Sequence, residues 1–189
     1  MLKPFYQGKL DTFCAMYAVL NALRLTHGIR VLKARDILNE TLLALAGSPD
    51  AFRAVLLQET DYLNLVDGML RAQQKKFPLE VRKPFADADK PSEEEVWACC
   101  REWLTPRTSR AIIFRFSRNL TPDGPPVNRH WTTADRIDAE TLHLFDCSHE
   151  AEAILNIRKG SFVTRPEAVD AGRLLCIQPE TLRLLRLPF

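Results

Sequence analysis

Cys14, His130, Asp146 and Gln7 are residues that, brought together, could act on a carbonyl group. A thiol is mostly protonated at neutral pH, and the thiolate is the species that attacks. Cys14 opens an almost wholly apolar run, 13–25, interrupted by Asn21 and Arg24. Such a run reads as a helix covered on most of its surface. The first turn of a helix carries N–H groups without partners, which favours negative charge on a sulfur placed there. A neighbouring imidazolium favours it further and can later supply a proton. The plainer reading of Cys14 is a small buried residue, since free cysteines are commonly buried.

A base must come from the histidines. His27 falls at a helix end, where it reads as a cation near the C-terminus. His143 lies between leucines and reads as structural, and His149 falls in a turn. His130 directly follows a Pro/Gly-rich stretch, 117–129 (SRNLTPDGPPVNR), at the expected start of a strand. Sites gather at such loop-flanked positions, and this loop is expected to form one wall of a cleft.

Asp146 ends the next expected strand, in LHLFDCS. Strand side chains alternate between faces. His130 and Asp146 flank a turn near Asp138-Ala139, so a loop with an odd number of residues puts them on one face. A two-residue loop puts them on opposite faces. On one face they can form a bond that fixes the imidazole tautomer and supports its charge. The plainer reading of Asp146 is a strand-end residue bonding local backbone. A tetrahedral intermediate needs donors aimed at its oxyanion. The Cys14 N–H and the side-chain amide of Gln7 are candidates, although Gln7 beside Gly8 also reads as an exposed polar residue.

These residues need elements to hold them. Asp11 or Thr12 is the expected N-cap of the Cys14 helix, and Gly28 its left-handed end. Residues 33–76 carry apolar side chains at helical spacing, broken at Gly47-Ser48-Pro49, with Ser48 or Asp50 as the next cap. Residues 79–82 read as a short strand and 85–91 as a polar loop. Ser92 and Glu95 form a capping box for a helix ending near Leu104. Strands are expected at 110–116, 130–137, 141–146, 154–157, 174–177 and 182–187. Helices first and strands later indicate an α+β fold, a helical half on an antiparallel sheet. The expected organisation is a single domain, 1–189, with a helical subdomain at 33–76 and a sheet half at 110–187.

The net charge of +2 is too small to indicate a nucleic-acid partner. No apolar stretch reaches the length that spans a bilayer, and the N-terminus lacks an apolar signal core, so a cytoplasmic protein is expected. The five cysteines include the adjacent pair Cys99-Cys100 and no CxxC, which fits free thiols better than disulfides or a zinc knuckle. Cys99 and Cys100 read as helix packing. Neither a metal motif nor a phosphate loop is present, so no cofactor is expected.

The pattern Gln7, Asp11-x-x-Cys14-x-x-Tyr17-Ala18, Asn21-Ala22-Leu23, then His130-Trp131, then Asp146-Cys147-Ser148 resembles the papain-like cysteine peptidase superfamily. Small bacterial members, among them the bacteriocin-leader-processing peptidases, are the most similar. The resemblance covers residues 5–26 and about 110–148. It implies Cys14 as nucleophile, His130 as base and then acid, Asp146 as the group orienting His130, and Gln7 as oxyanion donor. Asp11 and Trp131, which flank nucleophile and base in this pattern, are candidate substrate-binding residues. A peptide or protein substrate is expected. Ala15 stands where many papain-like enzymes carry Gly or Trp, and Arg129 where a small residue is often seen. Two other readings accompany hydrolysis of an amide, isopeptide or ester bond: acyl transfer to an amine by the same triad, and a catalytically silent binding module.

Overall fold

The computed structural model describes residues 2–8, 11–87, 90–105, 109–148 and 154–188. Among the described residues, five α-helices precede most of a seven-stranded sheet, giving a mixed α+β fold. The helices are α1 (Cys14–His27), α2 (Val31–Ala46), α3 (Pro49–Leu56), α4 (Tyr62–Gln73) and α5 (Glu93–Leu104). The strands are β1 (Glu80–Arg82), β2 (Arg110–Asn119), β3 (Pro126–Ile137), β4 (Thr141–Leu144), β5 (Asn156–Arg158), β6 (Phe162–Val163) and β7 (Leu175–Arg186). The sheet order is β1-β7-β2-β3-β4-β5, and β6 pairs with β7 off this path.

The run Ala111-Ile112-Ile113-Phe114 explains why β2 is central. A strand covered on both faces reads as continuous apolar sequence rather than as alternation. Ala111 and Ile113 face the α1 core with Trp131 and Leu185. Ile112, Phe114 and Phe116 face a second core built on Val96, Trp97, Cys100 and Trp103 of α5. The sheet is thus covered by α1 on one side and α5 on the other. α1 is the more deeply buried helix: Ala15, Met16, Ala18, Val19, Leu20, Ala22 and Leu23 are all buried. Its backbone is tied to the sheet where the Thr133 hydroxyl donates to the Ala18 carbonyl at 2.9 Å.

The helix ends follow local chemistry. Gly28 adopts φ 65° and its N–H closes α1 on the Arg24 carbonyl. Ser48 caps α3, Asp61 caps α4, and Ser92 with Glu95 forms the capping box of α5. Such a cap stabilises by about 1 kcal/mol. Burying one large apolar side chain contributes roughly 1.5–3 kcal/mol, so the apolar stripe of α5 outweighs its cap. Between α4 and β7, buried Arg183 clamps Asp67 through Nε at 2.7 Å and Nη2 at 3.1 Å, and Lys83 adds a bond at 2.6 Å.

Several expectations change in detail. The side-chain cap of α1 is absent: the helix begins at Cys14 after Phe13, and Asp11 is spent on the preceding turn. Strands β2 and β3 extend into the stretch 117–129 through pairs such as Ser117 with Arg129, which confines the connection to 120–125. His130 therefore sits inside β3 rather than at its start. The sheet is antiparallel except for the β6–β7 pair, which is parallel. The two strands expected at 174–177 and 182–187 are one strand, because β7 continues along β2 through a shift in register. His27 packs its ring edge-on against Phe77, and burial lowers its pKa, so it is not the helix-end cation expected. His143 is structural, bonded to Asp138 at 2.9 Å. His149 lies outside the described residues. Among the described residues, no helix is long and apolar enough to cross a membrane.

Candidate functional site

The N-terminal segment is placed by α1 itself. Asn21, fully buried on that helix, accepts from the Phe5 N–H at 2.7 Å and donates to the Phe5 carbonyl at 3.2 Å. Its amide thereby imitates a strand partner for an extended residue. Two residues on, the Gln7 N–H donates to the Cys147 carbonyl at 2.8 Å. Residues 5–7 are thus stitched between α1 and the segment that follows β4. The Asp11 carboxylate accepts from the Gly8 N–H at 2.8 Å and the Phe13 N–H at 3.2 Å, which fixes the turn into α1. Asp11 orders this turn. Among the described residues no side chain caps the start of α1 at Cys14, which leaves first-turn amides for an incoming acceptor.

His130 and Asp146 meet because of a β-bulge. The β3–β4 turn is of the two-residue kind: the Asp138 N–H bonds the Thr141 carbonyl at 2.9 Å, leaving Ala139 and Glu140 between them. In a regular ladder that turn would set Asp146 opposite Thr133, on the other face from His130. The pairing instead shifts between Ala134 and Arg136, leaving Asp135 as an extra residue on β3. Beyond it Ala134 pairs with Leu144, and the Phe145 N–H bonds the Thr133 carbonyl at 2.7 Å. Asp146 then falls opposite Thr132, on the His130 face. A bulge is a recognised means of re-aiming a side chain.

His130 Nε2 lies 2.7 Å from Asp146 Oδ1. The same oxygen accepts from the Thr132 hydroxyl at 2.9 Å and from the Cys147 N–H at 2.8 Å. The Ser148 hydroxyl is 3.2 Å from His130 Nε2, and the His130 ring meets Phe116 edge-on with centroids 5.6 Å apart. Both titratable groups are buried, at 7% and 2% exposure. Burial opposes the charge on His130, but the ring's hydrogen bonds to Asp146, Cys14 and Cys147, with the Asp146 charge, outweigh it. The net effect pushes its pKa up to about 12. Burial likewise opposes ionisation of Asp146. The His130 bond and charge, then Thr132 and Ser148, hold its carboxyl below the usual range. The pair is therefore imidazolium and carboxylate at neutral pH.

Gln7 and Cys147 complete the cluster. Burial pushes the Cys147 thiol up to about 11 despite the nearby His130. It is therefore an S–H donor to Gln7 Oε1 at 3.7 Å, and its sulfur lies 3.8 Å from His130 Nε2. Gln7 Nε2 donates to the Asp11 carbonyl at 2.5 Å, which leaves its second N–H for another acceptor. The structure thus gathers Gln7, Cys14, His130 and Asp146. It does not bring Trp131 to them: that side chain is buried in the core beneath α1, on the opposite face of β3. Thr132, Cys147 and the tether Asn21 are the contributors that sequence reasoning gave no role. Asn21 carried the clearest signal, a polar residue inside an apolar helix. Among the described residues, His130, Asp146 and Cys147 are the group whose ligand atoms lie close enough to share a metal ion, within 4.8 Å of one another. A metal on His130 Nε2 would displace the bond to Asp146, so the two arrangements exclude each other.

A scan against protein-family models finds no match to this chain, and a search of curated proteins finds none either.

Proposed function

We propose that the chain is a papain-like cysteine hydrolase that cleaves an amide, isopeptide or ester bond. The observation that carries this reading is the buried 2.7 Å His130–Asp146 bond, with Cys14 at an uncapped helix start contributing a hydrogen bond to the same ring. With Nε2 held on Asp146, Nδ1 is the ring atom left to exchange a proton with Cys14. The Cys14 thiolate attacks the carbonyl carbon, and the oxygen gains negative charge. The first-turn N–H at Cys14 and the free N–H of Gln7 donate to that oxygen. The imidazolium passes its proton to the leaving group, and an acyl-enzyme remains. His130, neutral after giving up that proton, accepts one from water. The hydroxide so formed attacks the thioester, and the proton returns to release Cys14.

The test is site-resolved alkylation. An ordinary thiol is well under about 1% ionised at about pH 6, so iodoacetamide at that pH selects an activated cysteine. The expected result is preferential labelling of Cys14 over Cys99, Cys100, Cys147 and Cys176, lost in His130→Ala. Labelling of Cys14 no faster than the others would overturn the reading.

A further inference from the structure

We propose that Arg115 and Arg129 form a carboxylate-binding subsite beside Cys14, so that the substrate carries an acidic side chain or a free C-terminus next to the bond cleaved. This rests on the cysteine-hydrolase reading above. Arg115 pairs across the sheet with Trp131, and Ser117 with Arg129. The two arginines are therefore diagonal neighbours on one face, a relation that spans roughly 7–8 Å. They line a cavity of about 360 Å³ with Ser117, Asn119 and Gln178, and no carboxylate among the described residues lines it.

Like charges so placed repel. Among the described residues neither guanidinium has an acidic partner within salt-bridge reach. Arg115 Nε is buried without a hydrogen-bond partner. Glu167 and Glu180 are near enough to act on Cys176, but neither lines the cavity. An anion between the two arginines would relieve both the repulsion and the unpartnered donor. Guanidinium groups match carboxylates in a planar, two-bond geometry.

The two arginines lie on the Trp131 face of the sheet, the face that α1 covers, and Cys14 packs against the same core as Trp131 and Tyr62. The Arg115 guanidinium stands 5.8 Å from the Tyr62 ring centroid, and Tyr62 feels the charges of both Cys14 and Arg115. Substrate held at Cys14 would thus reach the two arginines with a neighbouring residue.

Binding is measured on Cys14→Ala protein by NMR titration. The probes are capped tripeptide amides carrying Glu at each position in turn, their Gln counterparts, and an all-neutral tripeptide with a free C-terminal carboxylate. At least one acidic probe is expected to bind about tenfold more tightly than its neutral counterpart, the range of a charge-assisted bond. The preference should weaken with added salt and vanish in Arg115→Gln/Arg129→Gln. A Glu-dependent gain assigns the anion to a side chain, and a gain with the free acid alone assigns it to a C-terminus. Equal binding of acidic and neutral probes overturns the proposal, as does a preference that survives the double substitution. Arg129→Gln alone, at an exposed position, is the second variant should loss of Arg115 disturb Tyr62. Iodoacetamide labelling of Cys14 in the otherwise native protein separates the two ideas. Acid preference without selective labelling leaves the subsite and removes the hydrolase, and labelling without acid preference does the reverse.

Discussion

Two buried aspartates sit on either side of this molecule's central strands, and they are used differently. Asp67, on α4, spends both oxygens: Oδ1 on Arg183 Nε, and Oδ2 on Arg183 Nη2 and Lys83 Nζ. Asp146, beyond β4, takes donors from His130, Thr132 and the Cys147 N–H on Oδ1, and among the described residues its Oδ2 has no hydrogen-bond partner. For both carboxyls burial works against ionisation and cationic partners overcome it, so both are held below the ordinary range. The difference lies in the partner. A guanidinium keeps its charge across the working pH range, so the Asp67 cluster is a fixed clamp between α4 and β7. An imidazole can give up its proton, so Asp146 holds a group whose state can change during a reaction.

Replacing the carboxylate beside His130 should produce the largest effect. In Asp146→Asn the first of the causes that raise the His130 pKa is gone, while burial still lowers it. The ring should then titrate well below about 12, because only the bonds with Cys14 and Cys147 remain to oppose burial. Ring-resolved NMR titration measures this directly. The sign for stability follows. The raised His130 pKa contributes stability in full below about pH 6.5 that is lost as pH rises toward the folded value. The lowered Asp146 pKa contributes above about pH 3.9 and is lost as pH falls through the folded value. The pair therefore stabilises most between these limits and weakens on both sides, whereas a carboxylate held by a guanidinium weakens only on the acid side. A His130 ring that still titrates near 12 in Asp146→Asn would mean that the two aspartates do not differ in this way.

Breaking the clamp should act on stability and spare the site. Asp67→Ala leaves buried Arg183, 3% exposed, without its counter-charge. Removing one member of a buried ion pair costs about 3–5 kcal/mol. Urea unfolding should report that loss, while iodoacetamide still selects Cys14 in the folded fraction. Asp146→Asn should show the opposite balance, with a smaller loss of stability and loss of selective labelling.

How far each region could be read from sequence follows from how each is built. The Cys14 helix, the strand Ala111-Ile112-Ile113-Phe114 and the Ser92/Glu95 box are local patterns, and the structure places them within a few residues of expectation. The gathering of Gln7, Cys14, His130 and Asp146 was legible as residue types in element context. Trp131 as a substrate contact was not sound, because it neighbours His130 in sequence and alternation turns it to the other face. The clamp was illegible, since Asp67 and Arg183 are joined only by the packing of distant elements. Most opaque was the register of β3 on β4. The turn residues indicate a hairpin, but nothing in Thr133-Ala134-Asp135-Arg136 announces a bulge.

That register sets the smallest of the expected effects and the narrowest test of the contrast. Asp67 depends on helix packing, whereas Asp146 depends on the counting of residues along a hairpin. The extra residue is Asp135, whose half-buried carboxyl is pushed up in pKa by burial, so its charge is not a source of stability. Deleting it lets Arg136 follow Ala134 directly. The pairs Ile137 with Leu142, Arg136 with His143 and Ala134 with Leu144 can then all persist in a regular ladder. Asp146 stays opposite Thr132, and Ile137 keeps its face. If shared register is what joins His130 to Asp146, the deletion should change stability by no more than about 1 kcal/mol, a typical value for one substitution, and Cys14 should remain the preferred site of alkylation. Loss of that preference in a folded deletion variant would show that the bend of the bulge, and not the register alone, aims His130. The Asp67 clamp should be unchanged either way, because no residue of β3 or β4 contributes to it.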